Sequence, residues 1–303
     1  MKEKELIKII KTTLNSKYIG DDCAYLKDLG ITISQDSLVE NIHFDLKFIT
    51  PYQLGYKSAM VNISDICASG AEPVYMTISL SLPNYVDENF VKNFYDGAKD
   101  ACQNIEIVGG DLTGSDKIFI SITAIGKTEN RKISSRSNAK DGHKVIISGE
   151  HGNSAYGLKL LLNNEKQTKE NEIFITSHLM PVAQRDFSKQ IAENIKSNYA
   201  MMDSSDGLAD ALIQIAKSSN VLISIDTSKI PHNPKVSMNE VLFGGEDYQL
   251  VATVPEEFLE KISNYTIIGE VKPSKMSGLE IDGKFFDNID NKLFNHFGEK
   301  NEN

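Results

Sequence analysis

The chain has 303 residues, 40% of them hydrophobic and 24% charged, which allows two soluble domains of ordinary size. A formal net charge of −10 repels phosphate backbones and argues against a nucleic-acid partner, while tolerating a phosphate ligand bridged by a cation. No apolar run reaches about 18 residues, so no membrane partner is expected, and Cys23, Cys67 and Cys102 lack CxxC spacing, which points to buried thiols in the cytoplasm and no zinc site.

The stretch MKEKELIKIIKTTL puts Leu6, Ile9, Ile10 and Leu14 on one helical face, with charges that do not suit a secretory signal. Strands are expected over 23–26 and 30–35, then a helix over 51–69 and a strand over 74–81. A helix over 87–104 leads to a strand over 105–108. GGDLTGSD reads as a turn before a strand over 117–125, where Ile118, Ile120, Ile122 and Ala124 alternate with other residues. The polar stretch 128–142 is the expected boundary, dividing the chain into 1–135 and 136–303. Beyond it come a strand over 144–148, helices over 155–162 and 182–197, a helix opening near Gly207, and strands over 221–225 and 248–254. The fold class is α+β, two mixed α/β domains rather than one doubly wound sheet.

Aspartates recur at the ends of these elements: GDD around Asp22, SQDS around Asp36, SD at Asp65, GGD at Asp111, DSSDG from Asp203 and GGED at Glu246. Any one of them is ordinary turn chemistry. Together they could converge on phosphates through Mg²⁺, a hard cation that takes carboxylate oxygens, with glycines admitting backbone N–H groups. GxxxxGK(S/T), HRD with DFG, GxSxG and HExxH are all absent, so a P-loop, protein-kinase, α/β-hydrolase or zincin site is not expected. In MDSSDGLADAL, Ser205 or Asp206 is expected to cap the helix, and Asp210 to lie on its solvated face.

GDDCAYL, SQDSLVENIHFD, KSAMVNISDICASGAEP, GGDLTGSD, SRSNAKDGHKVIISGEHGNSAYGL, MDSSDGLADAL and FGGEDYQLVATVP occur in this order. The series resembles the thiamine-monophosphate kinase family, related to aminoimidazole ribonucleotide synthase, over nearly the whole chain. The resemblance implies transfer of the γ-phosphoryl group of ATP to thiamine monophosphate, with Mg²⁺, in a homodimer whose N-terminal domains pair their sheets. The acceptor is an ionised phosphate oxygen, so positioning and charge neutralisation suffice without a strong general base.

Carried over position by position, the resemblance implies Mg²⁺ ligands at Asp22, Ser34, Gln35, Asp36, Asp65, Asp111, Asp203 and Asp206. It implies ATP contacts at Gly110, Asp111, Arg136 and Ser205, and acceptor contacts at His43, Glu246 and Phe294. Gln35 stands where the family has Thr, Leu112 where it has the first of two threonines, and Ser69 where it has Met. No carboxylate of the set is lost. Two other readings stay open at this point: an aminoimidazole ribonucleotide synthase-like enzyme, and a non-catalytic nucleotide- or thiamine-phosphate-binding protein.

Overall fold

The computed structural model describes residues 3–165 and 168–293. Helix α1 (Glu3–Leu14) leads into strands β1 (Ala24–Leu26) and β2 (Ile31–Val39), helix α2 (Pro51–Ser69) and strand β3 (Glu72–Leu82). Helix α3 (Glu88–Cys102), then β4 (Glu106–Gly114) and β5 (Phe119–Lys127) complete a five-stranded sheet of order β1-β2-β5-β3-β4. β3 and β4 are parallel because α3 carries the chain back between them; the other pairs are antiparallel. Ile118, Ile120, Ile122 and Ala124 are buried on one sheet face, as their alternation predicts. On α1 the expected apolar face exists, but Ile9, Ile10 and Leu14 are exposed.

Helix α2 starts on a capping box between Thr50 and Gln53, with Pro51 in its first turn, and stops at Gly70, whose φ of +84° suits glycine. It crosses α3 at backbone contact: a Cβ on Gly55 would lie 1.8 Å from the Phe94 carbonyl oxygen, and one on Gly97 would lie 1.9 Å from that of Tyr52. The expected turn GGDLTGSD is instead mostly strand β4. Gly109 and Gly110 are extended, and a Cβ on Gly110 would lie 1.7 Å from the Ile78 carbonyl oxygen, so glycine here permits close strand pairing.

The second sheet follows with β6 (Lys144–Ile147), helices α4 (Asn153–Leu162), α5 (Glu172–Leu179) and α6 (Arg185–Asn194), and β7 (Ala200–Asp203). Helix α7 (Leu208–Ser219), β8 (Leu222–Ile225), α8 (Met238–Phe243), β9 (Leu250–Val254), β10 (Thr266–Lys272), β11 (Gly278–Ile281) and β12 (Lys284–Phe286) complete it. The seven strands run β12-β11-β8-β10-β6-β9-β7, antiparallel except for β8 with β11. The α+β class with two mixed halves is thus the observed architecture.

The C-terminal end of α2 is the joint between the sheets. The Ser188 hydroxyl donates to the Cys67 carbonyl at 2.6 Å, and the Ser134 N–H donates to that of Ser69 at 2.9 Å. Arg185 donates to the carbonyls of Ala101 and Cys102 at 3.2 and 3.3 Å. Carbonyls left over at the ends of α2 and α3 are satisfied by Ser188 and Arg185 from the second half and by Ser134 from the boundary stretch, which fixes α2 against both sheets.

Candidate active site

Three carboxylates meet at this joint. Asp22 precedes β1, Asp65 lies in the buried part of α2, and Asp203 ends β7; one oxygen from each lies within 4.8 Å of the others. Hydroxyls orient them: Ser34 donates to Asp65 Oδ2, and Ser64 donates to Asp203 Oδ2 at 2.5 Å. Burial, then Asp36, Asp203 and Asp22, push the Asp65 carboxyl well above its usual range. Burial and then Asp22 push Asp203 up to about 7. Asp203 is 2% exposed, and its Oδ1 has no donor in hydrogen-bonding geometry among the described residues, although the Ser205 hydroxyl tempers its charge.

This donor set fits a hard divalent cation. Like charges are packed together, their oxygens are pre-oriented, and one buried oxygen points at no donor. Asp36 belongs to the same field, since it raises both Asp65 and Asp203; its N–H donates to Asn62 Oδ1 at 3.1 Å. Gln35 does not join them with its side chain. Strand alternation turns it to the opposite face of β2, where it donates to Ser121 Oγ at 3.0 Å and accepts from Thr123 Oγ1 at 3.3 Å.

The remaining acidic residues stand outside the trio. The pairing register puts Asp111 opposite Ser79, and Ser79 opposite Ser121, so Asp111 belongs to the outer sheet face on the exposed strand β4. Gly110 precedes it opposite Ile78. Asp206 is exposed in the loop before α7. Gly207, rather than Ser205 or Asp206, is the N-cap of that helix. Ser205 instead uses its carbonyl to accept the Glu246 N–H at 2.7 Å.

Arg136 is drawn in by charge. Its Nη2 meets Asp22 Oδ1 at 2.7 Å and its Nη1 donates to Gln214 Oε1 at 2.6 Å, while its own N–H donates to Asp21. Gln214 in turn donates to Asp210 Oδ2. Asp210 is therefore buried, and the expectation of a solvated face is corrected: one turn into α7 it accepts from Gln214, the residue that also accepts from Arg136. Beside Asp22 opens a cleft of about 330 Å³ whose lining includes Lys17, Tyr18, Tyr25 and Lys27.

The GGED loop forms the other wall. Gly245 packs against the Ser205 carbonyl, 2.6 Å from where a Cβ would stand, and Asp247 accepts from the N–H groups of Gly152 and Ser154 at 2.5 and 2.9 Å. Asp247 thereby caps α4, whose own N-cap is a glycine. Glu246 is left facing Lys57, whose Nζ lies 3.2 Å from each carboxylate oxygen, and His178, whose Nδ1 lies 3.2 Å from Oε2. Burial opposes its ionisation, but Lys57, His178 and His43 hold the Glu246 carboxyl below the usual range. Burial and Lys57 push His178 down to about 4, so it is neutral at pH 7. His43 is half-buried, its Nδ1 accepting from the Val39 N–H at 3.0 Å, which leaves the ring proton on Nε2. Phe294 lies outside the described residues.

Sequence reasoning missed Lys57, His178, Ser64 and Gln214. For Lys57 a signal existed: it is the only charge in PYQLGYKSAMVNIS. The thiols behave as expected. Cys23, Cys67 and Cys102 are buried and free, and burial pushes Cys67 up to about 12 and Cys102 up to about 11.

Known proteins share this arrangement of sequence. A family model described as AIR synthase related protein, N-terminal domain, matches residues 20–128. The thiamine-monophosphate kinase of Aquifex aeolicus (strain VF5) is 37% identical over 96% of this chain and 97% of its own length. The chain belongs to the thiamine-monophosphate kinase family. The Bacillus subtilis (strain 168) kinase of this family is also 37% identical, over 79% of this chain and 78% of its own. Among solved structures, AaThiL complexed with AMPPCP and TMP superimposes with a TM-score of 0.87 at 36% identity, covering 98% of this chain and 97% of that one.

Proposed function

We propose that this protein transfers the γ-phosphoryl group of ATP to the phosphate of thiamine monophosphate, forming thiamine diphosphate and ADP. The observation that carries the reading is the near full-length likeness to AaThiL, a protein that holds an ATP analogue and TMP. Asp22, Asp65 and Asp203 would hold Mg²⁺, with Asp36 adding charge and Ser34 an oxygen; Asp206 and the backbone of Gln35 would be further ligands of this reading, whereas Asp111, on the outer face of β4, takes no part in this cluster. Bound there, Mg²⁺ supplies charge neutralisation between carboxylates and phosphates.

The chain's own residues do the positioning. Ser34 and Ser64 fix the rotation of two carboxylates. Arg136, pinned by Asp22 and Gln214, presents a planar fork suited to phosphate oxygens; Gly110 and Ser205 are the other ATP contacts of this reading. His43, Glu246 and Phe294 receive the acceptor. Its phosphate oxygen is already ionised near neutral pH, so the absence of a nucleophile–base pair among these residues costs the reaction nothing.

Residues 1–135 carry ATP and most of the metal site in this reading, and 136–303 complete it. A homodimer through the first sheet is supported by its edge strand β4, on which Val108 and Leu112 are 53% and 64% exposed. A cytoplasmic location agrees with three buried free thiols. No helix among the described residues is long and apolar enough to cross a membrane.

The test is product formation with ATP and Mg²⁺, comparing thiamine monophosphate with free thiamine as acceptor. Thiamine diphosphate should form from the monophosphate and not from free thiamine. Binding of both ligands without product would favour the non-catalytic reading.

A further inference from the structure

We propose that Lys57 is a positioning residue for the acceptor: its ammonium reaches from α2 across the joint and holds the Glu246 carboxylate in the orientation that meets thiamine monophosphate. The inference rests on the acceptor role given to Glu246 above.

Lys57 is 1% exposed, and lysine is almost never so deeply buried without a partner. Its neighbours Leu54, Met60 and Val61 are buried apolar residues. The ammonium is 3.2 Å from both oxygens of Glu246, a residue 189 positions away in sequence and on the other sheet's side of the joint. A buried ion pair adds little net stability over a well-packed apolar pair, so packing alone does not account for a lysine here.

The geometry of Glu246 supplies the reason. Its φ is +65°, a backbone conformation uncommon outside glycine, and its N–H is tied to the Ser205 carbonyl at 2.7 Å. The backbone is therefore anchored to the turn that follows Asp203, while the side chain projects half-buried into the site. Two groups grip it from other elements, Lys57 from α2 and His178 from α5. His178 Nδ1 stands 3.2 Å from Oε2 and 3.1 Å from Ser154 Oγ, so one ring nitrogen is shared between the carboxylate and a hydroxyl, whereas Lys57 reaches both carboxylate oxygens. Since His178 is neutral, Lys57 supplies positive charge that keeps Glu246 ionised and aimed. Such a carboxylate suits an acceptor with a cationic thiazolium ring and an aminopyrimidine.

The test is a double-mutant cycle with Lys57→Met and Glu246→Gln, reading KM for each substrate. Lys57→Met should raise KM for thiamine monophosphate about tenfold or more while KM for ATP stays within about twofold. In the Glu246→Gln background the same change should alter KM for thiamine monophosphate by less than about twofold, because the partner it acts through is gone. An unchanged KM in the single variant overturns the proposal, as does a parallel rise of both KM values. An equally large effect in the Glu246→Gln background also overturns it, giving Lys57 a substrate contact of its own. Lys57→Gln repeats the comparison should Lys57→Met fail to fold by circular dichroism. Calorimetry with thiamine monophosphate reads Kd for every variant independently of turnover. Absent product from the unsubstituted protein thus counts against the phosphoryl-transfer reading, and unchanged Kd in the Lys57 variants against this one.

Discussion

Three carboxylates within 4.8 Å of one another repel unless a proton or a cation lies between them. With Asp203 pushed up to about 7 in the folded protein, the native state binds a proton that the unfolded chain, with its ordinary carboxylate, has released. Stability without metal should therefore fall as pH rises from about 4 to about 7, and the raised Asp65 acts in the same direction. Thermal melts should show Mg²⁺ stabilising the protein more at pH 8 than at pH 5; equal Mg²⁺ shifts at both would contradict this. Asp203→Asn removes the conflict and the ligand together. It should raise the metal-free melting temperature at pH 8 by a few degrees and lower turnover by about 100-fold or more. A variant that melts lower and turns over normally would remove Asp203 from the site. Asp22, Asp65 and Asp203 were legible in the sequence by the Gly or Ser within two positions of each, although Asp65 lies inside α2 rather than at its end. Asp210 was not, because its environment depends on Gln214 and Arg136, which only the tertiary fold brings to it.

Helix α2 does more positioning than any other element described here. It carries Lys57, Asn62, Ser64 and Asp65, and it is clamped on one side by α3 through Gly55 and Gly97. Adding a methyl at either glycine drives a Cβ into a backbone carbonyl that cannot rotate away. Gly55→Ala or Gly97→Ala should cost about 1–3 kcal/mol in urea unfolding, by overpacking. A cost under about 0.5 kcal/mol, the range of ordinary surface changes, would show that the helices slide apart freely. The bounds of α2 were readable from Pro51 and the glycine after Ser69, because local stop and start chemistry decides them. β4 was not, since GGDLTG carries turn residues and only pairing with β3 makes it a strand. α5 and β10 to β12 were likewise passed over. α5 is short, and β11 and β12 span only four and three residues, too few for a period to show.

At the scale of the molecule, the site exists because two sheets share one helix. Asp22, Asp36 and Asp65 come from the first half, while Asp203 and Glu246 come from the second. On the proposed function, an acidic chain of net charge −10 gathers phosphates where cations intervene, which would put Mg²⁺ and Arg136 between protein and substrate rather than at the periphery. The α+β class followed from the order of strands and helices, whereas the convergence of Asp22, Asp65 and Asp203 needed the fold, because these carboxylates lie far apart in sequence. The most direct test of the account is to follow γ-labelled ATP with thiamine monophosphate and Mg²⁺. The account predicts that the label appears in thiamine diphosphate, one label per ADP formed, and that chelating Mg²⁺ abolishes it. Label found only in inorganic phosphate, with thiamine monophosphate unchanged, would contradict it.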